Sequence, residues 1–204
     1  MDHTEHWVCD DESAEPLTTR TITMSCFADG EHLEVRGHLS DVRAPGPILG
    51  SAGQVHDMEL CLKVDAQSLV ITAVRATMRV HPHFECSDIE PAFQQLVGVS
   101  VARGYNRRVQ ELLGRTKGCT HLEFLARALG TVVIQGKSVN GKSPKGTGMP
   151  PGARDGGWLT NTCHVWAEDG VAPVKLRLGW VPGTIYPVPR LETYEEAARE
   201  RGER

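Results

Sequence analysis

Four runs between Arg20 and Val80 keep to a period of two, and that period admits one kind of backbone: the strand, whose successive side chains point to opposite faces. Ile22, Met24 and Cys26 alternate with Thr21, Thr23 and Ser25; beyond Asp29 and Gly30, Leu33, Val35, Gly37 and Leu39 alternate with Glu34, Arg36 and His38. This predicts a hairpin with one buried face. A Pro/Gly-rich loop, RAPGPILGSAG at 43–53, separates it from a second pair of runs, VHDMELCLKVD from Val55 and LVITAVRATMRV from Leu69. Met58, Leu60, Leu62 and Val64 share one face, while Asp57, Glu59, Lys63 and Asp65 share the other. His56 falls in phase with the apolar row. An imidazole therefore ends a core-facing row that has no packing need of one.

Past HPHFECSD the spacing becomes helical. Phe93, Leu96 and Val97 mark one short helix, and Val109, Leu112 and Leu113 a second. Leu122, Leu125, Ala126, Leu129 and Val133 mark a third, the clearest, with Thr120 and Glu123 at capping-box spacing before it. After Gln135 comes GKSVNGKSPKGTGMPPGARDGG, too rich in Gly, Pro and Ser to pack. TCHVWAE and VAPVKLRLGW, around Asp169 and Gly170, predict a last hairpin. The expected fold is α+β: a mainly antiparallel sheet of hairpins packed against a helical block of about three helices. Residues 1–17 form an acidic arm without a period. Residues 18–190 form a single domain with a loop at 136–157, and 191–204 an exposed C-terminal helix or tail, opened by Thr193 and Glu196.

Charge and composition exclude several functions. The net charge is −4, and Lys and Arg are spread out apart from a short cluster at Lys137–Lys145, so neither a nucleic-acid footprint nor a membrane-surface stripe is present. No run approaches the roughly 18 apolar residues that span a bilayer. The acidic start carries no secretory signal pattern, and the expected location is cytoplasmic. Cysteines 9, 26, 61, 86, 119 and 163 contain no C-x-x-C pair, against zinc-ribbon and thioredoxin readings. Cys26 and Cys61 are expected to be small buried hydrophobes. Aromatic residues are 5% of the chain, so no stacking platform points to a nucleobase or sugar.

Gly136–Ser143 fits the P-loop pattern letter for letter. The pattern works only where its Lys and Ser open a helix. Here Pro144, Gly146, Gly148, Pro150 and Pro151 follow. Glycine costs about 1 kcal/mol in a helix interior and proline about 3, so no helix can form, and no nucleotide is expected.

The stretch GCTHLEF (118–124) places Cys119 just before the helix that Thr120 opens, with His121 in its first turn. The unpaired N–H groups at a helix start favour a thiolate there. His56 can converge on the same point, as can Cys86 and either Cys163 or His164. His and Cys donors from separate elements suit zinc or iron, and the candidate metal set is His56, Cys119, His121 and His164. The candidate catalytic set is Cys119, His121 and His56. With a turn at Asp169 and Gly170, Val165 pairs with Val174 and Cys163 with Leu176, so Cys163 points inward and His164 outward; a one-residue slip reverses this. Asp57 is either solvated or orients a neighbouring histidine. His81 and His83 read as loop residues, and His3 and His6 sit in the acidic arm.

HDM at 56–58, Cys86 after a proline-aromatic loop, GCTHL at 118–122 and CH at 163–164 together resemble a bacterial family catalogued as domain of unknown function 2889. The resemblance covers Arg20 to Trp166, and GCTHL is its most specific element. It implies that His56, Cys119, His121 and His164 belong to the family's signature and that the loop at 136–157 is an insertion. It implies no reaction. The residues themselves lead to an expected small-molecule enzyme of the hydrolase or lyase type. Either a metal polarises a carbonyl or activates water, or Cys119 attacks with a histidine as its base. A non-catalytic ligand- or metal-binding accessory protein is the alternative, and a purely structural module the third reading.

Overall fold

A computed structural model describes residues 11–45, 53–102, 104–140, 159–181 and 187–202. The chain divides into two compact units, Met1–Lys137 and Ser138–Arg204. Residues 18–190, read from the sequence as one domain, are shared between them.

The first unit holds the sheet. Strands β1 (Thr18–Asp29), β2 (His32–Arg43), β3 (Gly53–Asp65) and β4 (Ile71–Val80) follow one another as an antiparallel meander. Asp29 pairs with His32, which leaves Gly30 and Glu31 as the turn, and Gly30 has φ +61°. A turn that opens with positive φ matches the twist of the flanking strands, and glycine supplies it without strain. The alternation then decides which side is buried: Leu33, Val35 and Leu39 on β2 and Met58, Leu60, Leu62 and Val64 on β3 are sealed from solvent. The opposite face carries an ionic lattice in which Arg79 bridges Asp57 at 3.2 Å and Glu59 at 3.3 Å.

Three helical segments cover the apolar face: a 3-10 helix Phe84–Leu96, helix α1 (Tyr105–Leu113) and helix α2 (Thr120–Asn140). Phe93, Leu96, Val109, Leu113, Leu122, Leu125, Leu129 and Val133 all enter one core with the strands. This is the α+β arrangement expected from the spacing.

Glycine sets how closely α2 lies on the sheet. A Cβ on Gly37 would come within 3.2 Å of Leu125 and 3.3 Å of Leu129. A Cβ on Gly136 would overlap the Cys26 sulfur of β1. Gly136, the first residue of the P-loop pattern, is therefore a packing glycine inside a helix. No loop begins at 136, because α2 runs through Asn140; the rest of the expected loop, with Lys142 and Ser143, lies outside the described residues.

Two details differ from the capping expected in the sequence. The Glu123 N–H donates to the carbonyl of Cys119 at 2.8 Å, so Cys119 is the capping position of α2 and Thr120 is already helical. The Glu123 side chain turns to Arg127 at 3.4 Å.

The second unit contains a 3-10 turn His164–Trp166 and helices α3 (Val171–Arg177) and α4 (Leu191–Glu200). The hairpin expected around Asp169 and Gly170 is absent among the described residues. Val174, Leu176 and Leu178 alternate as a strand would, but Pro173 falls in the first turn of α3. A proline costs a strand one ladder bond and costs a first helical turn nothing, since that N–H has no helical partner. Thr193 and Glu196 lie inside α4, whose start is at Leu191. Among the described residues no helix is long and apolar enough to cross a membrane.

Candidate functional site

On β1, β2 and β3 the core-facing rows each end in a polar residue at the same level of the sheet. One step beyond Leu39 on β2 is Asp41, whose cross-strand partner on β3 is His56 and on β1 is Arg20. Arg20, Asp41 and His56 thus stand side by side on the core-facing side of the sheet. A register shift at Asp41/Val42 breaks the regular pairing just past them.

Asp41 organises this row. The Arg20 guanidinium donates to both of its oxygens, Nε to Oδ1 and an η nitrogen to Oδ2, each at 2.7 Å. His56 Nδ1 lies 2.8 Å from Oδ2. The Arg20 fork, above all, holds the Asp41 carboxyl down at about 2; burial opposes it and His56 assists it. Asp41 is therefore ionised at neutral pH and can only accept. The short bond to His56 then requires the proton on Nδ1, which leaves Nε2 of a neutral ring bare.

Helix α2 brings the second imidazole. The His121 ring lies 4.0 Å from the His56 ring, centroid to centroid, tilted by 37°. Its Nε2 is 3.8 Å from Asp41 Oδ2 and its Nδ1 is 3.8 Å from the Cys119 sulfur. Cys119 Sγ also touches Met58 Sδ at 4.0 Å. Burial in the first place, then His56 and Arg20, hold His121 below the ordinary imidazole range against the pull of Asp41. The neutral ring is the form that a general base or a metal ligand needs. Side-chain exposure is 10% for Asp41, 15% for His56 and 24% for His121, so the cluster is sheltered but reachable.

Two of the expected residues, His56 and His121, are in ring contact, and Cys119 sits beside His121. Donor atoms of Asp41, His56 and His121 all lie within 4.8 Å of one another, close enough to hold a metal ion; Cys119 is outside that trio. His164 is exposed in the 3-10 turn of the second unit, and Cys163 beside it is also exposed. Cys86 packs against the core as a half-buried hydrophobe. Asp57 does orient a histidine, but on the opposite face, where it meets His38 Nε2 at 2.8 Å. His81 Nδ1 bonds the His83 carbonyl at 2.6 Å within the loop. Cys61 is buried on the ionic face, with an η nitrogen of Arg75 at 3.3 Å. His3, His6 and Cys9 lie outside the described residues.

Sequence reasoning missed Asp41 and Arg20. The signal was available: Asp41 continues Leu33, Val35, Gly37 and Leu39, and Arg20 precedes Ile22, Met24 and Cys26, each in strict phase. A charged residue in phase with a buried row is the same anomaly that marked His56.

No curated protein and no solved structure matches the chain. One family model does, over residues 18–135, from the first residue of β1 into α2. The match contains HDM, Cys86 and GCTHL, and the CH pair at 163–164 lies beyond it. Spanning more than half of the chain, it makes this protein a member of the family described as Protein of unknown function (DUF2889).

Proposed function

We propose that this protein is a small-molecule enzyme of the hydrolase or lyase type, working by acid–base and thiolate chemistry at Cys119, His121 and His56. The observation that supports this most is the saturation of Asp41. With both oxygens held by Arg20 and one also held by His56, the carboxylate acts as an orienting group and has little basicity left to offer a cation. His56 Nε2 is then a positioned base, in the way a carboxylate fixes a histidine tautomer elsewhere. Cys119 is the nucleophile: its thiol proton passes to His121 Nδ1, the sulfur bonds to an electrophilic carbon of the substrate as that carbon's bond to its leaving group breaks, the leaving group takes up the proton, and water then cleaves the carbon–sulfur bond and restores the thiol.

A metal-assisted form is the second reading, favoured by the 4.8 Å grouping of Asp41, His56 and His121. Two imidazoles and a carboxylate suit zinc or non-haem iron with open positions. Elemental analysis of the purified protein, together with the rate of Cys119 alkylation by iodoacetamide at pH 7, separates the two. The thiolate reading expects no stoichiometric metal, and alkylation of Cys119 well ahead of Cys61 that slows in His121→Ala. Stoichiometric zinc or iron that is lost in His56→Ala would overturn it in favour of the metal form.

A further inference from the structure

The two edges of the sheet are treated differently. Along β4, four backbone groups find partners outside the sheet: Val99 and Gly98 bond the two sides of Ile71, the Glu90 carboxylate accepts from the Met78 N–H at 2.7 Å, and Gln94 donates to the Val74 carbonyl at 2.8 Å. The 3-10 helix thus supplies side chains that imitate a neighbouring strand, one of the ways proteins cover a sheet edge.

Among the described residues, strand β1 has no such cover, and no strand pairs with its outer side. It keeps register with β2 over all twelve residues without a bulge. It contains no proline, and its two charges are already engaged, Arg20 with Asp41 and Asp29 with Lys63. Its core-side row, Ile22, Met24 and Cys26, is only half-buried, while its other residues are exposed. A long, regular edge whose two charges are already paired, with a half-buried apolar row, is a template for another strand.

We propose that β1 is a homodimer interface, in which the β1 strands of two copies pair antiparallel and join the sheets into one. The sequence of the strand fits its own copy. With the two-fold axis at Thr23, Thr23 faces itself, Thr21 faces Ser25, and Ile22 faces Met24. Arg20 faces Cys26, so no charge opposes a like charge. Small hydroxyl residues then pair on one face and apolar residues on the other, the kinds of cross-strand pair that stabilise sheets. A strip about 40 Å long and about 10 Å wide buries roughly 400 Å² per copy, the size of a weak, reversible dimer.

Sedimentation of the full chain over micromolar to millimolar concentration tests this. The wild type is expected to dimerise reversibly, and alternate β1 amides to gain protection from hydrogen exchange as the dimer forms. Thr23→Lys and Thr23→Glu place like charges opposite each other on the axis, and each should raise the dimer Kd about fivefold. An equimolar mixture of the two variants should restore the dimer as a mixed species. Both substitutions lie on the exposed face, and melting temperatures near that of the wild type show that they fold. A monomer at every concentration overturns the proposal, as does a dimer indifferent to both substitutions or one whose β1 amides stay unprotected.

Discussion

Replacing Asp41 by Asn removes one charge from the centre of the site and leaves its shape. A carboxyl held at about 2 in place of its ordinary 3.8 corresponds to about 2.4 kcal/mol of preference for the charged form in the folded state. Arg20 is 43% exposed and regains water when its partner is lost, so the expected destabilisation at neutral pH is smaller, about 1–2 kcal/mol. The pH dependence has a definite sign. The folded value lies below the unfolded one, so the stabilisation is complete above about pH 4 and disappears as pH falls through 2. Urea unfolding followed by the β-sheet signal, for wild type and Asp41→Asn between pH 7 and pH 2, measures it. The gap between the two stability curves should shrink as pH falls from about 4 toward 2. Equal stability at pH 7, or a gap that persists undiminished at pH 2, would refute the assignment of Asp41 as the ionised hub. Arg20→Gln should lose a similar amount, and the double variant less than the sum, because both break the same pair.

Gly136→Ala should destabilise the protein by about 1–3 kcal/mol, although glycine to alanine inside a helix ordinarily stabilises, because the new Cβ overlaps the Cys26 sulfur; Cys26→Ala in the same chain should restore stability in thermal melts. Leu125→Ala, at a fully buried position between α2 and β2, should cost about 2–5 kcal/mol in urea unfolding. Glu90→Ala combined with Gln94→Ala should uncover the β4 edge, seen as faster hydrogen exchange at Met78 than in the wild type, since that N–H has the Glu90 carboxylate as its partner.

The four strands, the core-facing rows of the first three and the helix after Cys119 were legible in the chain, because period and core burial are local properties: each run states its own amphipathicity. His56 stood out for the same reason, and Arg20 and Asp41 would have done so had charged residues been followed in phase beyond the last apolar one. The end of the chain was harder. A seven-residue segment such as α3 (Val171–Arg177) is too short for its spacing to separate helix from strand, and Pro173 was the only local cue.

What the amino-acid order determined alone is which residues share a strand face or a helix turn. Which faces then meet was decided by the tertiary structure: a two-residue turn and the β2–β3 register put Arg20, Asp41 and His56 abreast, and the packing of α2 against Gly37 and Cys26 brought His121 and Cys119 over them. Those distances depend on backbone approach and register between segments far apart in sequence, and no single segment carries that information.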